Sequence, residues 1–199
     1  MLGGMPTLPA GALRPHCRIC GQLLTAFLQT EIPVGLDTPF LAGSRLTVFA
    51  CPTHDDVPAT LPPGQLPERF WERNDGHYAA YFVKPAFDVM AHPSDGRITP
   101  VGLALEIVEE DALPEPGFKI GGAPAFPDER VDYWCSCGAH LALVCQLPAG
   151  LEIPIEPDAP RQPNGQSDDT YVLFRGKETY VLACASQCDP RAVLAIVAR

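Results

Sequence analysis

The sequence predicts a mainly β protein, α+β only through a few short helices, with two cysteine-bearing units joined by an antiparallel β-rich region. Three observations lead there. Proline is abundant, 23 of 199 residues, and proline breaks helices and central strands alike, which favours short elements and many turns. Hydrophobic residues make up 46% of the chain, enough for a core. Several apolar runs, rich in β-branched and aromatic residues, lead directly into cysteines.

The elements follow in chain order. Residues 23–28 form an apolar run closed by Gln29, and Leu46-Thr47-Val48-Phe49-Ala50 reads as a strand ending at Cys51. Residues 66–73, after Pro63-Gly64, read as a short helix, and residues 78–83 and 103–108 as further strands. Residues 141–145 form an apolar run closed by Gln146, and Tyr180-Val181-Leu182-Ala183 is a strand ending at Cys184. Asp189 is a candidate cap for a terminal helix over 190–197. Proline-rich stretches at 52–67 and 154–163 read as surface loops, the second continuing into a polar run over 164–169 that is expected to be mobile. The predicted organisation is an N-terminal unit over 1–62, a connecting region over 63–116 and a C-terminal unit over 117–199.

The cysteines fall into a repeated layout. Cys17-Arg18-Ile19-Cys20-Gly21 precedes the run that ends at Gln29, and Cys135-Ser136-Cys137-Gly138 precedes the run that ends at Gln146. Each Gln is followed by a proline-containing pair, Ile32-Pro33 and Leu147-Pro148. Each half then brings a strand into a second pair, Cys51 with His54 and Cys184 with Cys188. Such similarity points to an internal repeat. Closely spaced thiolates and imidazoles are the ligands zinc takes in structural sites, four at a time in a tetrahedron. The sequence therefore predicts two zinc-ribbon-like units with two zinc ions, held by Cys17, Cys20, Cys51 and His54 and by Cys135, Cys137, Cys184 and Cys188. The glycine after each first pair suits a sharp turn with positive φ. Cys145 is unpaired and reads as a small buried hydrophobe. His16 is a competing ligand of poorer spacing than His54, and His77, His92 and His140 read as ordinary packing or surface residues.

Charge narrows the function classes. The formal net charge is −10 and there is no Lys/Arg-rich run, which argues against nucleic acid as a partner. No run of 18 apolar residues exists to span a membrane, and the apolar residues 1–13 have no preceding positive charge to make a signal peptide. A cytoplasmic protein is expected, where eight cysteines are metal ligands rather than disulfides.

These ribbons resemble the programmed cell death protein 2 family of eukaryotes. Its first unit looks like Cys17-x-x-Cys20-Gly21-x-Leu23-Leu24-x-x-Phe27-Leu28-Gln29, and its later unit like Cys135-x-Cys137-Gly138 running to Gln146, with Val181-x-x-Cys184-x-x-x-Cys188. Lys119-Ile120-Gly121-Gly122-Ala123-Pro124-Ala125-Phe126 is similar to a Gly-Gly signature of that family and of the bacterial YwqG-like family. Here the signature precedes the second ribbon, whereas in the eukaryotic family it precedes the first. The resemblance implies chaperoning of a ribosomal protein, and an acidic scaffold suits a basic client.

The expectation is a zinc-stabilised protein-interaction module, a chaperone or partner of a basic protein, and not an enzyme. Two readings compete with it. The first is a metal-dependent hydrolase, with Asp88, His92 and Asp95 as a third metal site or carboxylates from Asp55-Asp56 or Glu109-Glu110-Asp111. None of the common catalytic motifs is present to support it. The second is a nucleic-acid-binding ribbon protein.

Overall fold

The computed structural model describes residues 1–73, 76–106, 117–125, 132–163, 165 and 167–198. Its strands are β1 (Thr7–Pro9), β2 (Thr25–Glu31), β3 (Arg45–Ala50), β4 (Gly64–Gln65), β5 (Tyr78–Val83), β6 (Val89–Ala91), β7 (Lys119–Ile120), β8 (Tyr133–Trp134), β9 (Leu141–Leu147), β10 (Glu152–Pro154), β11 (Thr170–Val172), β12 (Thr179–Cys184) and β13 (Val193–Val197). Among the described residues, helical structure is confined to two single turns of 3-10 type, Phe70–Glu72 and Phe174–Gly176. The mainly β expectation is met.

Two antiparallel sheets dominate, one in the order β2-β3-β5 and the other β7-β9-β12-β13. Three small pairs, β1-β6, β10-β11 and the parallel β4-β8, surround them. β5 comes from the region expected to connect the two units, and it completes the first sheet by pairing with β3.

The two sheets share one register. In the first, Leu28 faces Val48 and Ala26 faces Phe49, so Phe27 bulges out of the ladder. In the second, Cys145 faces Val181 and Leu143 faces Leu182, so Val144 bulges at the same place relative to its cysteines and its Gln. A bulge increases local twist and pins register. The next strand corresponds too, Ala50 facing Tyr78 and Ala183 facing Val193. The residue just before that strand closes the ladder in both halves, Cys51 donating its N–H to the His77 carbonyl and Cys184 to the Ala192 carbonyl.

The outer edge of each sheet also corresponds. β7 pairs with β9, Ile120 facing Cys145, and Gly121 donates to the Val144 carbonyl. At the start of the chain Leu2 bridges to Leu28, and Gly3 donates to the Phe27 carbonyl. Leu2-Gly3-Gly4-Met5-Pro6 therefore lies against the first sheet as Ile120-Gly121-Gly122-Ala123-Pro124 lies against the second. Both glycines of each pair have positive φ, 65° and 86° in the first and 70° twice in the second, a turn closed to residues with a Cβ.

Strand alternation sorts the side chains into layers. One face of each sheet joins a common core that holds Phe27, Leu28 and Val48 with Val144, Cys145 and Val181. Phe27 stacks there on Tyr171, their centroids 5.9 Å apart. Full burial of each such side chain contributes roughly 1.5–3 kcal/mol. The opposite face of the first sheet packs Leu24, Ala26 and Phe49 beside Cys17 and Cys51 under Leu8. The opposite face of the second packs Leu143, Leu182 and Leu194 beside Cys135 and Cys184 under Leu66 and Phe70. The ligand cysteines thus grow from the outer layers.

Several expected elements differ. The helix over 66–73 is only the turn Phe70–Glu72, because Leu66 bonds instead to the Trp134 carbonyl, extending the β4-β8 pairing. The terminal helix over 190–197 is strand β13, since β12 offers an open edge and Val193, Ile196 and Val197 suit a pleated surface. Residues 103–106 form no strand, and 107–108 lie outside the described residues. The 154–169 stretch begins in β10 and bridges Ile155 to Ile98. The buried Gln162 side chain then exchanges two hydrogen bonds with the Val172 backbone.

Candidate metal centres

Each centre is built at the point where a strand hands the chain to a tight turn. In the first, Gly21 donates its N–H to the Cys17 carbonyl and Cys17 donates to the Gln22 carbonyl. In the second, Gly138 donates to the Cys135 carbonyl and Cys135 to the Ala139 carbonyl, a loop one residue shorter. A Cβ on Gly21 or Gly138 would meet nothing. Their φ of 73° and 90° is what reserves these positions for glycine. The second pair makes up the difference. Cys51 and His54 are separated by two residues, Cys184 and Cys188 by three. The extra residue is absorbed by Gln187, at φ 46° with its N–H on the Cys184 carbonyl.

The predicted ligands converge in two groups, Cys17, Cys20, Cys51 and His54, and Cys135, Cys137, Cys184 and Cys188, the ligand atoms of each within 4.8 Å of one another. In the first, Cys20 Sγ lies 3.8 Å from Cys51 Sγ, and His54 Nδ1 lies 3.6 Å from Cys17 Sγ and 3.5 Å from Cys51 Sγ. In the second, Cys135 and Cys188 are 3.6 Å apart and Cys137 and Cys184 3.5 Å. A disulfide needs about 2.05 Å, so these are not bonded pairs. A tetrahedral ion about 2.3 Å from sulfur and about 2.0 Å from nitrogen sets edges of roughly 3.8 Å between sulfurs and roughly 3.5 Å from sulfur to nitrogen. Both groups fit a metal ion on that test.

The thiols differ in how readily they ionise. Burial pushes Cys51 up to about 11. Burial also raises Cys135, and it raises Cys188 with help from the neighbouring thiols. Burial acts upward on Cys20 as well, but the Gln22 backbone N–H and the Cys17 and Cys51 thiols outweigh it and hold the group below its ordinary value. The Ala139 backbone N–H brings Cys137 down to about 7. Cys20 therefore ionises more readily than Cys51, and Cys137 more readily than Cys135 and Cys188, and a cation is what stabilises the full set of thiolates.

The remaining candidates fall elsewhere. Cys145 is fully buried among apolar side chains, and its thiol is pushed up by that burial. His16 belongs to neither group and bridges through its backbone to Leu23. His140 packs against the Trp134 ring in a tilted arrangement, ring centroids 3.3 Å apart. His77 is buried against Tyr78 and Phe174. Asp88, His92 and Asp95 form no third ligand group among the described residues. Asp95 instead accepts from the Thr25 hydroxyl at 2.6 Å and faces Arg97 at 3.8 Å, tying the 93–97 segment to the first ribbon. Glu109, Glu110 and Asp111 lie outside the described residues.

The Gly-Gly signature is a structural clasp. Gln146, fully buried, accepts the Ala125 N–H at 3.1 Å and donates to Glu178 at 2.9 Å, while the Tyr180 hydroxyl donates to the Ala125 carbonyl at 2.7 Å. Lys119 reaches the Ala123 carbonyl. Phe126, expected to lie on the sheet, is outside the described residues. Gln29 occupies the matching place in the first half and donates to the Gly3 carbonyl at 2.8 Å. The 119–125 stretch lies on the second sheet, and Gly3-Gly4 adds a second glycine pair at the matching place on the first. The signal was present as Leu-Gly-Gly-x-Pro against Ile-Gly-Gly-x-Pro, but it is too short to stand out from ordinary turns.

Comparison of the chain with protein-family models, curated proteins and solved structures finds no match in any of the three. Among the described residues, no helix is long and apolar enough to cross a membrane.

Proposed function

We propose that the chain is a zinc-stabilised protein-interaction module built from two copies of one unit. The carrying observation is the pair of four-ligand clusters, Cys17, Cys20, Cys51 and His54 and Cys135, Cys137, Cys184 and Cys188, whose edges suit a tetrahedral ion. The donor set favours zinc, since thiolate with imidazole is its preferred structural environment. Four protein ligands leave no position for water or substrate, which favours a structural role over hydrolysis. Three thiolates with a neutral imidazole and four thiolates give formal site charges of about −1 and about −2 around a divalent ion. Backbone N–H groups in the turns offset part of this.

The partner is a protein. A net charge of −10 disfavours nucleic acid and favours a basic client. The resemblance of the cysteine units to the programmed cell death protein 2 family is the ground for reading the module as a chaperone, in the cytoplasm. Shared register, shared bulge and the two Gly-Gly clasps support the two-copy reading.

Elemental analysis of the purified chain is expected to return two zinc ions, and a strong chelator is expected to abolish the β circular dichroism signal. A stripped chain with unchanged melting would overturn the metal part of the reading. Recovery of nucleic acid rather than basic proteins from cells would overturn the partner.

A further inference from the structure

The two halves differ in what lies beside the last strand of each sheet, β5 and β13. In the second half, β13 residues Leu194, Ala195 and Ile196 and the ring of Tyr133 face Pro58, Ala59, Thr60 and Leu61, leaving only about 10 Å³ between them. The Tyr133 hydroxyl donates to the Leu61 carbonyl at 3.0 Å, and Leu61 packs onto the outer cluster of that sheet. The chain's own proline-rich segment thus fills this groove.

The matching positions in the first half follow from the shared register. Ala79, Ala80 and Tyr81 of β5 take the places of Leu194, Ala195 and Ile196, and Pro15, two residues before Cys17, takes the place of Tyr133, two before Cys135. These residues line a cleft of about 250 Å³, whose other wall carries Arg18, Trp71 and Arg191. Among the described residues no segment fills it. The same groove is therefore filled in one half and open in the other.

The geometry points to the β5 groove as a docking site for an extended, proline-containing segment of a partner protein, held as residues 58–61 are held beside β13. This deepens the interaction-module reading and rests on it. The chemistry of the walls fits. An extended proline-rich backbone makes no internal hydrogen bonds and presents its carbonyls, and aromatic-lined grooves with donors recognise it. The Trp71 Nε1–H is buried without a hydrogen-bond partner among the described residues. Arg191 lies over the Trp71 ring at 5.5 Å and bonds Glu72, and Arg18 reaches the Glu72 carbonyl at 3.2 Å. Glu72, the carboxylate lining this wall, is already engaged by Arg69 and Arg191, and Arg191 also pairs with Asp189, so the remaining N–H groups of Arg18 and Arg191 are the donors this wall offers. Pro15 and Tyr81 supply apolar surface on which proline rings stack.

The probe is a fluorescent synthetic peptide with the sequence of residues 55–63, Asp-Asp-Val-Pro-Ala-Thr-Leu-Pro-Pro, titrated by anisotropy against the full chain, with zinc content measured on the same sample. Saturable binding is expected. It should weaken about tenfold in Arg18→Glu and for a peptide with alanine at each proline. It should be unchanged in Tyr133→Phe, which alters only the filled groove. In Trp134→Phe, which leaves Trp71 as the sole tryptophan, the peptide is expected to shift the emission. This readout stands even if Arg18→Glu loses metal. Absence of saturable binding by a chain carrying two zinc ions would overturn the groove while leaving the metal reading intact, whereas a chain without zinc would overturn the latter first. Equal binding of the alanine peptide, or a homodimer dissociated by Arg18→Glu, would overturn the assigned occupant.

Discussion

Half one and half two share a ladder down to the position of a single bulge, yet they hold their ligands with different turns. Cys17 and Cys20 are followed by a short second pair, Cys51 and His54, while the closer Cys135 and Cys137 are followed by the wider Cys184 and Cys188. A residue lost from one turn is regained in the other. The strands fix where Cys17, Cys51, Cys135 and Cys184 stand, all four buried, and the outer ligands Cys20, Cys137 and Cys188 are exposed and adjust around the centre. Metal geometry thus constrains ligand atoms rather than sequence spacing. The same comparison holds for the outer layers. Half two lays residues 58–61 and the 66–70 region over its sheet, while half one carries β1 and leaves a cleft beside β5.

The strongest way to break the comparison is to remove one buried ligand from each half. Cys51→Ser and Cys184→Ser are each expected to lower the zinc content from two to one per chain. Each should cost more than about 4 kcal/mol of stability, since structural zinc contributes folding free energy of order 10 kcal/mol. Loss of both ions from either variant would show the centres to be one cooperative unit. Elemental analysis of each variant, with protein concentration measured on the same sample, decides it.

Acid separates the halves next. Zinc needs thiolates, and without it Cys51, Cys135 and Cys188 are protonated at neutral pH because their values are raised. Binding therefore releases protons, and stability from the metal is present at neutral pH and lost as pH falls. Below about 7, where Cys137 also takes up its proton, the four-thiol centre should lose zinc more steeply than the centre with three thiols and an imidazole. Competition with a chromogenic chelator across pH 5 to 8, on the two single-site variants, reads the slopes.

The clasps offer a finer contrast. Gln146 is fully buried with two partners, whereas Gln29 is half-buried with one side-chain bond. Gln146→Ala should cost about 2–3 kcal/mol and Gln29→Ala about 1 kcal/mol, by denaturant titration. Glycine substitution should invert that order. A Cβ at Gly3 would sit 2.4 Å from Ile98 Cγ2, while one at Gly121 would sit 3.0 Å from Leu36 Cδ2, which a flexible side chain accommodates more easily. Gly3→Ala is therefore expected to cost about 2–3 kcal/mol, or to peel off the first residues, against about 1–2 kcal/mol for Gly121→Ala. The smallest effect is that of Tyr133→Phe, about 0.5 kcal/mol, with faster proteolysis near residues 58–61 as the sharper readout.

The sequence by itself determined the two candidate metal-ligand clusters. Cysteines, histidine and glycine carry chemistry that few other residues can replace, so their pattern was legible without any fold. It also determined β2, β3, β9 and β12, whose β-branched and aromatic runs lead into those ligands, and it marked the repeat through Gly21, Gln29, Gly138 and Gln146. What only the tertiary structure decided is pairing between distant segments. Val193 to Val197 became a strand because β12 had an open edge, against a local helix signal from Asp189 and Pro190. Leu2-Gly3-Gly4 became a clasp because Leu28 stood ready to receive it. The cleft beside β5 stands open while residues 58–61 lie across the other half, a difference between two similar surfaces that depends on long-range contacts and leaves no periodic trace in the chain.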